Sequence, residues 1–397
     1  ETQAGGTGDS IEFEPITSIA ATIDVYSSVA ASGPQGVQVV GTTATANKIT
    51  NARFIEKIVG GDQTNLYRFH DDWGYLPSTA TAPRTTFTID DQASGLTKGT
   101  LDFSAVTHDL EFVLNDDGKV TVTARVSKTT GATTKIYTYE VLADGISRIV
   151  GGTGTNTYRI NSSTALKGDI TTPVGGQNIL DYSSYNSPAP IVVDTVAKVV
   201  TGLNTGTAPA ATLEKQQLTI SGAASGSFTL SLGGFRTSPI AFSSTPATTK
   251  TNIQAELDSL AGPGMFTVVA VDATHWTIEF GIAANHPEFT VDGSQLLDGS
   301  GNSGGAASVS TVTPGVAAYA ANGIDSIQSI LAGPAGKDMV LIGATTATGG
   351  SKNDLIYTGT SNSTIHGSDG DDALIGSTGN DTISGGAGND SISGGNG

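Results

Sequence analysis

The stretch 349–397 reads GGSKNDLIY, TGTSNSTIH, GSDGDDALI, GSTGNDTIS and GGAGNDSIS, then GGNG, a register of nine that opens at Gly349. Glycine recurs at positions 1, 2 and 4, where tight turns use φ > 0 and a missing side chain leaves backbone carbonyls open. Position 6 is Asp354, Ser363, Asp372, Asp381 and Asp390. Position 8 is Ile356, Ile365, Leu374, Ile383 and Ile392. One large apolar residue per nine predicts short strands whose inward side chains stack into a ladder, each repeat burying its core only against its neighbours.

This register resembles the RTX (hemolysin-type calcium-binding) repeat, G-G-x-G-x-D-x-U-x with U a large apolar residue. The nines 367–375, 376–384 and 385–393 match it well, 349–357 acceptably, and 358–366 is degenerate. The resemblance implies a parallel β-roll with two nines to a coil and calcium between a turn and the turn two nines later. Carried over residue by residue, Asp354, Asp372 and Asp390 line one edge, and Ser363 and Asp381 the other. The glycines at Gly367, Gly370, Gly376, Gly379, Gly385 and Gly388 would supply carbonyls. Ser363 removes a carboxylate, so its site is expected to be weaker or empty. Asp369 and Asp371 add charge to the first edge, either as ligands or by tuning affinity. Calcium takes about 6–8 oxygen ligands at roughly 2.3–2.6 Å, which carbonyls and carboxylates provide. Without it the carboxylates repel and the apolar ladder is thin, so disorder is expected.

A longer, weaker repeat covers the chain upstream. Ile55-Glu-Lys-Ile58-Val-Gly60-Gly61-Asp-Gln-Thr64-Asn65-Leu-Tyr67-Arg68 aligns without gaps with Ile146-Ser-Arg-Ile149-Val-Gly151-Gly152-Thr-Gly-Thr155-Asn156-Thr-Tyr158-Arg159. A looser third copy runs from Ile327 through Ala332-Gly333 to Asp338, which is carried as a further candidate ligand. Each copy follows a second box: Ile23-Asp24-Val-Tyr26-Ser27, Leu101-Asp102-Phe103-Ser104 and Leu180-Asp181-Tyr182-Ser183. The two GG boxes read as worn nonapeptides with Asn in place of Asp, expected as coils of a parallel β-solenoid capped by hydrogen-bonding Asn. Tandem β-sandwich domains are the alternative.

In the third copy the two boxes lie about 100 residues too far apart, which points to an insert. Residues 205–315 change texture there. Leu218-Thr-Ile220, Phe228-Thr-Leu230-Ser-Leu232 and Trp276-Thr-Ile278-Glu-Phe280 alternate as strands do, and Ile253, Leu257 and Leu260 share one helix face that Ala261-Gly262-Pro263 ends. The segment resembles small modules repeated in very long bacterial surface proteins. The expected fold is therefore mainly β: parallel β-solenoid or β-roll coils with an inserted small α+β module. Its units are 1–100, 101–179, 180–204 with 316–348, the insert 205–315, and the nonapeptide roll 349–397.

Composition narrows the function. Nineteen Lys and Arg against 37 Asp and Glu give a net charge of −18, which disfavours nucleic acid and anionic membranes and favours divalent cations. Cysteine is absent, and no apolar run approaches the ~18 residues of a membrane span. The chain opens on Glu1 and breaks off within a repeat, so it reads as a processed piece or part of something longer. No H-E-x-x-H occurs; Gly301-Asn-Ser303-Gly-Gly305 matches G-x-S-x-G formally but lacks the flanking strand and helix. Asp90-Asp91 reads as a solvated turn. His70-Asp71-Asp72-Trp73-Gly74-Tyr75 reads as a projecting loop with Trp73 packed on its side, or else a sugar-binding edge.

The leading expectation is a non-enzymatic, calcium-binding extracellular protein: a bacterial surface-layer, filament or adhesin component, exported unfolded by type I secretion as the resemblance implies. Calcium and self-association are the expected partners, with a glycan or surface ligand as a further one. The alternatives are an export and stability module of a larger secreted enzyme, and a carbohydrate-binding adhesin.

Overall fold

The computed structural model describes residues 10–12, 21–27, 37–41, 48–52, 55, 57–60, 64–74, 84–92, 98–115, 119–130, 132–162, 166, 168–173, 175–187, 190–195, 198–203, 210–232, 235–316, 327–331, 339–358, 362–376 and 378–396. The protein is mainly β. It divides into two compact units: 1–187 with 202–207 and 321–328, and 188–201 with 208–320 and 329–397.

Among the described residues the first unit holds two sheets. In one, the strands Asp169–Thr171, Ile146–Val150, Gly99–Ala105, Leu66–Gly74 and Ala21–Ser27 run parallel, and Val37–Gly41 and Lys48–Ala52 extend it antiparallel. The other contains Arg84–Asp90, Thr133–Asp144, Val120–Thr130, Leu110–Leu114, Thr155–Ile160 and Gln177–Asp181 in that spatial order. Here the expected parallel ladder is interrupted. Val120–Thr130 pairs antiparallel on both sides, with Thr133–Asp144 and with Leu110–Leu114. The long ribbon follows from two strands of alternating side chains joined too tightly for the crossover that a parallel pair needs. The core is aromatic: Phe69, Trp73, Phe103, Phe112, Tyr139 and Tyr158 are buried, with Phe69 stacked on Phe103 at 4.7 Å and Phe112 on Tyr158 at 4.7 Å.

The two sequence boxes meet in register. Tyr67 and Arg68 lie opposite Leu101 and Asp102, and Tyr158 and Arg159 lie opposite Leu180 and Asp181. Arg68 Nε donates to Asp102 at 3.0 Å and Arg159 Nε to Asp181 at 3.1 Å. Pairs this exposed on the arginine side stabilise by at most about 1 kcal/mol. Their value is register, because a slip of one residue would turn each buried Tyr or Leu to the surface. The third box rejoins across the intervening sequence: Asn178 N donates to Gln328 Oε1 at 2.6 Å, and Gln328 N returns a bond to Asn178 O.

In the second unit, Ile191–Asp194 pairs parallel with Met339–Ala344, so residues 205–315 lie between two directly bonded strands. That segment forms two antiparallel sheets and the helix Pro246–Ala261. Ile253, Leu257 and Leu260 are buried on the face the spacing predicts, and Gly262 ends the helix at φ 74°. Downstream, two parallel ladders form. Met339–Ala344, Asp354–Thr358, Ala373–Ile375 and Ser391–Ser393 make one; Ser329–Leu331, Thr346–Thr348, Thr364–Asp369 and Thr382–Ala387 make the other. Ile356 faces Leu374 and Leu374 faces Ile392 in one ladder, and Ile365 faces Ile383 in the other. Ile356, Ile365 and Leu374 are fully buried, whereas Ile392 is 48% exposed.

Two strands of the first ladder, Asp354–Thr358 and Ala373–Ile375, are buried on both faces. Leu355, Tyr357, Ala373 and Ile375, at positions 7 and 9 of their nines, join a core with Phe228, Ile253, Leu257 and Trp276 of the inserted segment. These nines read LIY and ALI, continuous apolar runs of the kind that mark a strand covered on two sides. The equivalent positions of the last strand, Ser391 and Ser393, are polar.

Candidate metal centre at the glycine–aspartate turns

The turns that link the two ladders stack in columns, each nine above the one 18 residues later. Asp354 N donates to Asp372 Oδ1 at 2.9 Å, and Asp372 N to Asp390 Oδ1 at 3.1 Å. On the other edge Ser363 N donates to Asp381 Oδ1 at 2.8 Å. Asp372, Asp381 and Asp390 each thus spend one oxygen on the backbone of the preceding turn, and Asp354 Oδ2 accepts from Gly350 N of its own turn at 2.7 Å. The second oxygen points under its own first glycine: a β-carbon at Gly367, Gly376 or Gly385 would collide with the Oδ2 of Asp372, Asp381 or Asp390. Position 4 holds the turn itself, with Gly370, Gly379 and Gly388 at φ 127°, 131° and 136°. No side chain is tolerated easily there.

The oxygens left over decide the chemistry. Asp372 and Asp354 are fully buried, and the Oδ2 atoms of Asp372 and Asp381 are buried with no hydrogen-bond partner. Burial, together with the negative charges of Asp390, Asp371 and Asp369, pushes the Asp372 carboxyl up to about 6, against the lowering effect of the Asp354 N–H. A buried anion without a partner is costly and calls for a cation. Among the described residues no three acidic or histidine side chains converge as a cage, so backbone carbonyls would supply much of any coordination sphere. That donor set is hard and all-oxygen, which fits calcium.

The remaining candidates sort clearly. Asp371 is engaged in a different ladder: its N–H donates to Asn353 Oδ1 at 3.0 Å and its Oδ1 accepts from Asn389 N at 2.8 Å. Position 5 therefore stitches successive turns, and Asn380 with Asn362 does the same on the other edge. Asp369 is exposed and contributes charge. Asp338 lies outside the described residues.

Residues 348–383 and 366–397 match the RTX calcium-binding nonapeptide repeat family, in four copies. The C-terminal turns are RTX repeats. No curated protein matches the chain. Calcium is thus the cation that the RTX assignment and the bare Asp372 and Asp381 oxygens both indicate.

The upstream box Gly151–Arg159 carries an asparagine where the C-terminal nines carry aspartate. A β-carbon at Gly151 would meet Asn156, as one at Gly367 would meet Asp372. Asn156 is fully buried, and its Nδ2 reaches the carbonyls of Gly152 at 3.0 Å, Gly154 at 3.3 Å and Gln177 at 3.2 Å. Its Oδ1 accepts from Gly152 N at 2.8 Å. The amide gathers carbonyls from two successive turns, the task a cation performs in the acidic version. The Asn for Asp exchange at position 6 was the visible signal.

Two readings are corrected. His70-Asp71-Asp72-Trp73 belongs to the strand Leu66–Gly74 instead of a loop, and Trp73 is fully buried among Phe69, Phe103 and Tyr139, so it offers no face to a sugar. Tyr75 lies outside the described residues. Asp91 is not a solvated turn residue: it is buried and accepts from Tyr67 Oη at 2.6 Å and Asn65 Nδ2 at 2.9 Å. Gly301 and Ser303 lie, as expected, in a loop, here between the strands Thr290–Leu297 and Ala306–Thr313, with Ser303 Oγ donating to Ser294 O at 3.3 Å. The loop has no helix after it and forms no nucleophile elbow.

Proposed function

We propose that this chain is a non-enzymatic, calcium-stabilised structural protein of the bacterial cell exterior, a component of a surface layer, filament or adhesin. Its RTX repeats form a parallel β-roll, two nines to a coil, that completes folding when calcium binds outside the cell. The pairing of every nine with the nine 18 residues on, in both ladders, supports the roll. The observation that carries the reading is the pair of aspartates, Asp372 and Asp381, whose Oδ2 atoms are buried without a donor beneath side-chain-free glycines. Low cytosolic calcium would keep the repeats open for export, and millimolar calcium outside would close them. RTX repeat proteins are typically secreted, which supports the location.

In this arrangement Asp354, Asp372 and Asp390 hold cations along one edge, together with the carbonyls of the glycine turns. Calcium supplies the positive charge that lets these carboxylates remain ionised while buried. The inserted module gives the first ladder a preformed apolar surface to fold against. Equilibrium dialysis of the chain against calcium, with magnesium as control, tests the reading. Saturable binding that is specific to calcium and accompanied by a gain of far-UV β signal supports it. Absence of binding at millimolar calcium overturns it.

A further inference from the structure

Resting on that calcium reading, we propose that Thr358 closes one cation position of the roll from within, so that one link between successive coils is made by a hydroxyl instead of a metal ion. At Gly349, Gly367 and Gly376, a β-carbon would collide with two oxygens at once: the Oδ2 of the same turn's aspartate, and the carbonyl of the glycine that opens the next coil, Gly367, Gly385 or Gly394. Those two oxygens are the pair that a cation between the coils would neutralise. Glycine keeps the space between them open.

The nine at 358–366 departs from this pattern at both positions together. Thr358 stands where the opening glycine would be, and Ser363 stands where the aspartate would be. The threonine is buried and engaged. Its Oγ1 donates to the Gly376 carbonyl at 2.7 Å, with the Ile375 carbonyl 3.3 Å away. Gly376 opens the next coil on this edge, so its carbonyl corresponds to that of Gly385 above Gly367. A hydroxyl proton therefore meets the oxygen that elsewhere faces the cation. With Ser363 in place of aspartate, no carboxylate is left that requires a full positive charge.

The two exchanges compensate one another. Threonine beside an aspartate would press on a bare carboxylate, and glycine beside a serine would leave a buried carbonyl unpaired. The consequence is an asymmetric roll. On the edge of Asp354, Asp372 and Asp390 all three turns keep their aspartates, while the other edge begins with a metal-free link. The chain then has two ways of joining RTX coils, and the one next to the upstream sequence holds without calcium.

The test counts calcium ions bound per full-length chain by equilibrium dialysis with atomic emission detection. The double variant Thr358→Gly/Ser363→Asp, which restores both repeat residues, should bind one more ion than the wild type. An unchanged count, with the wild type itself loaded, overturns the proposal and leaves the calcium reading intact. A wild type that binds none overturns both. The isosteric variant Thr358→Val removes only the donor. It should leave the count unchanged and lower the melting temperature in EDTA by about 2–5 °C. A lost ion in Thr358→Val would make the hydroxyl a ligand, and an unchanged melting temperature would make it idle; either result overturns the proposal.

Discussion

Asp372 and Asn156 occupy the same place in their turns and differ by one atom type. Asp372 is an anion with a buried, unpartnered oxygen; Asn156 is neutral and donates to three carbonyls. Calcium should therefore matter to one and not to the other. Asp372→Asn removes a charge that Asp390, Asp371 and Asp369 repel. It should raise the stability of the calcium-free repeats and weaken calcium binding by more than about tenfold, as ligand charge is lost. Thermal unfolding of wild type and variant, each in EDTA and in calcium, should show the two curves cross. Asn156→Asp has the opposite sign. It places a carboxylate against the carbonyls of Gly152, Gly154 and Gln177 and should cost about 2–4 kcal/mol in EDTA, measured by urea unfolding. Calcium should recover part of that loss.

The pH dependence follows from the same residue. Folding raises the Asp372 carboxyl from 3.8 to about 6, so the folded state holds the proton more tightly than the unfolded state. In the absence of calcium, stability is then fully present below about pH 4 and falls as the pH rises through 6, by roughly 2–3 kcal/mol, with a plateau above. Calcium should flatten this slope, because it replaces the proton as the partner of the carboxylate. Urea titrations at pH 4.5, 5.5 and 7 in EDTA and in calcium measure both effects.

At the scale of elements, much was legible in the sequence and the reasons for the rest are physical. The apolar eighth position gave the ladders, since Ile356, Ile365 and Leu374 had nowhere else to be buried. The spacing of Ile253, Leu257 and Leu260 with Gly262 after them gave the helix. The apolar seventh and ninth residues of LIY and ALI were equally visible, yet the standard repeat needs only one inward residue, so their outward face passed unnoticed. That face packs into the core of the inserted segment. Leu355→Ala should cost about 2–5 kcal/mol, as large-to-small changes in a core do, and should speed hydrogen exchange in both Asp354–Thr358 and the helix Pro246–Ala261 that shares this core. The same truncation at a solvent-facing position would cost little. Trp73 was misplaced for a different reason: two aspartates and a glycine around it read as a turn, but Asp72 takes φ 60° and the strand continues. Asp91 was misplaced because the Tyr67 and Asn65 side chains that bury it lie 24 and 26 residues away.

For the whole molecule, a net charge of −18 concentrates part of its cost in the last 50 residues, where the aspartates stack in columns. In the first unit Asn156 serves the carbonyls of its turn with a neutral amide, and Arg68 and Arg159 pair the strand carboxylates of Asp102 and Asp181. The second, on the proposed function, needs a cation at its RTX end. The account therefore predicts a chain of uneven calcium dependence: a first unit indifferent to the ion and a repeat segment that it closes. Hydrogen–deuterium exchange of the intact chain, read by mass spectrometry in EDTA and in millimolar calcium, tests this most directly. Calcium should slow exchange by orders of magnitude across 364–393 and leave the strands at 99–114 and 155–160 unchanged. Equal protection of 364–393 in EDTA and in calcium would contradict the account, since the bare carboxylates would then need no cation.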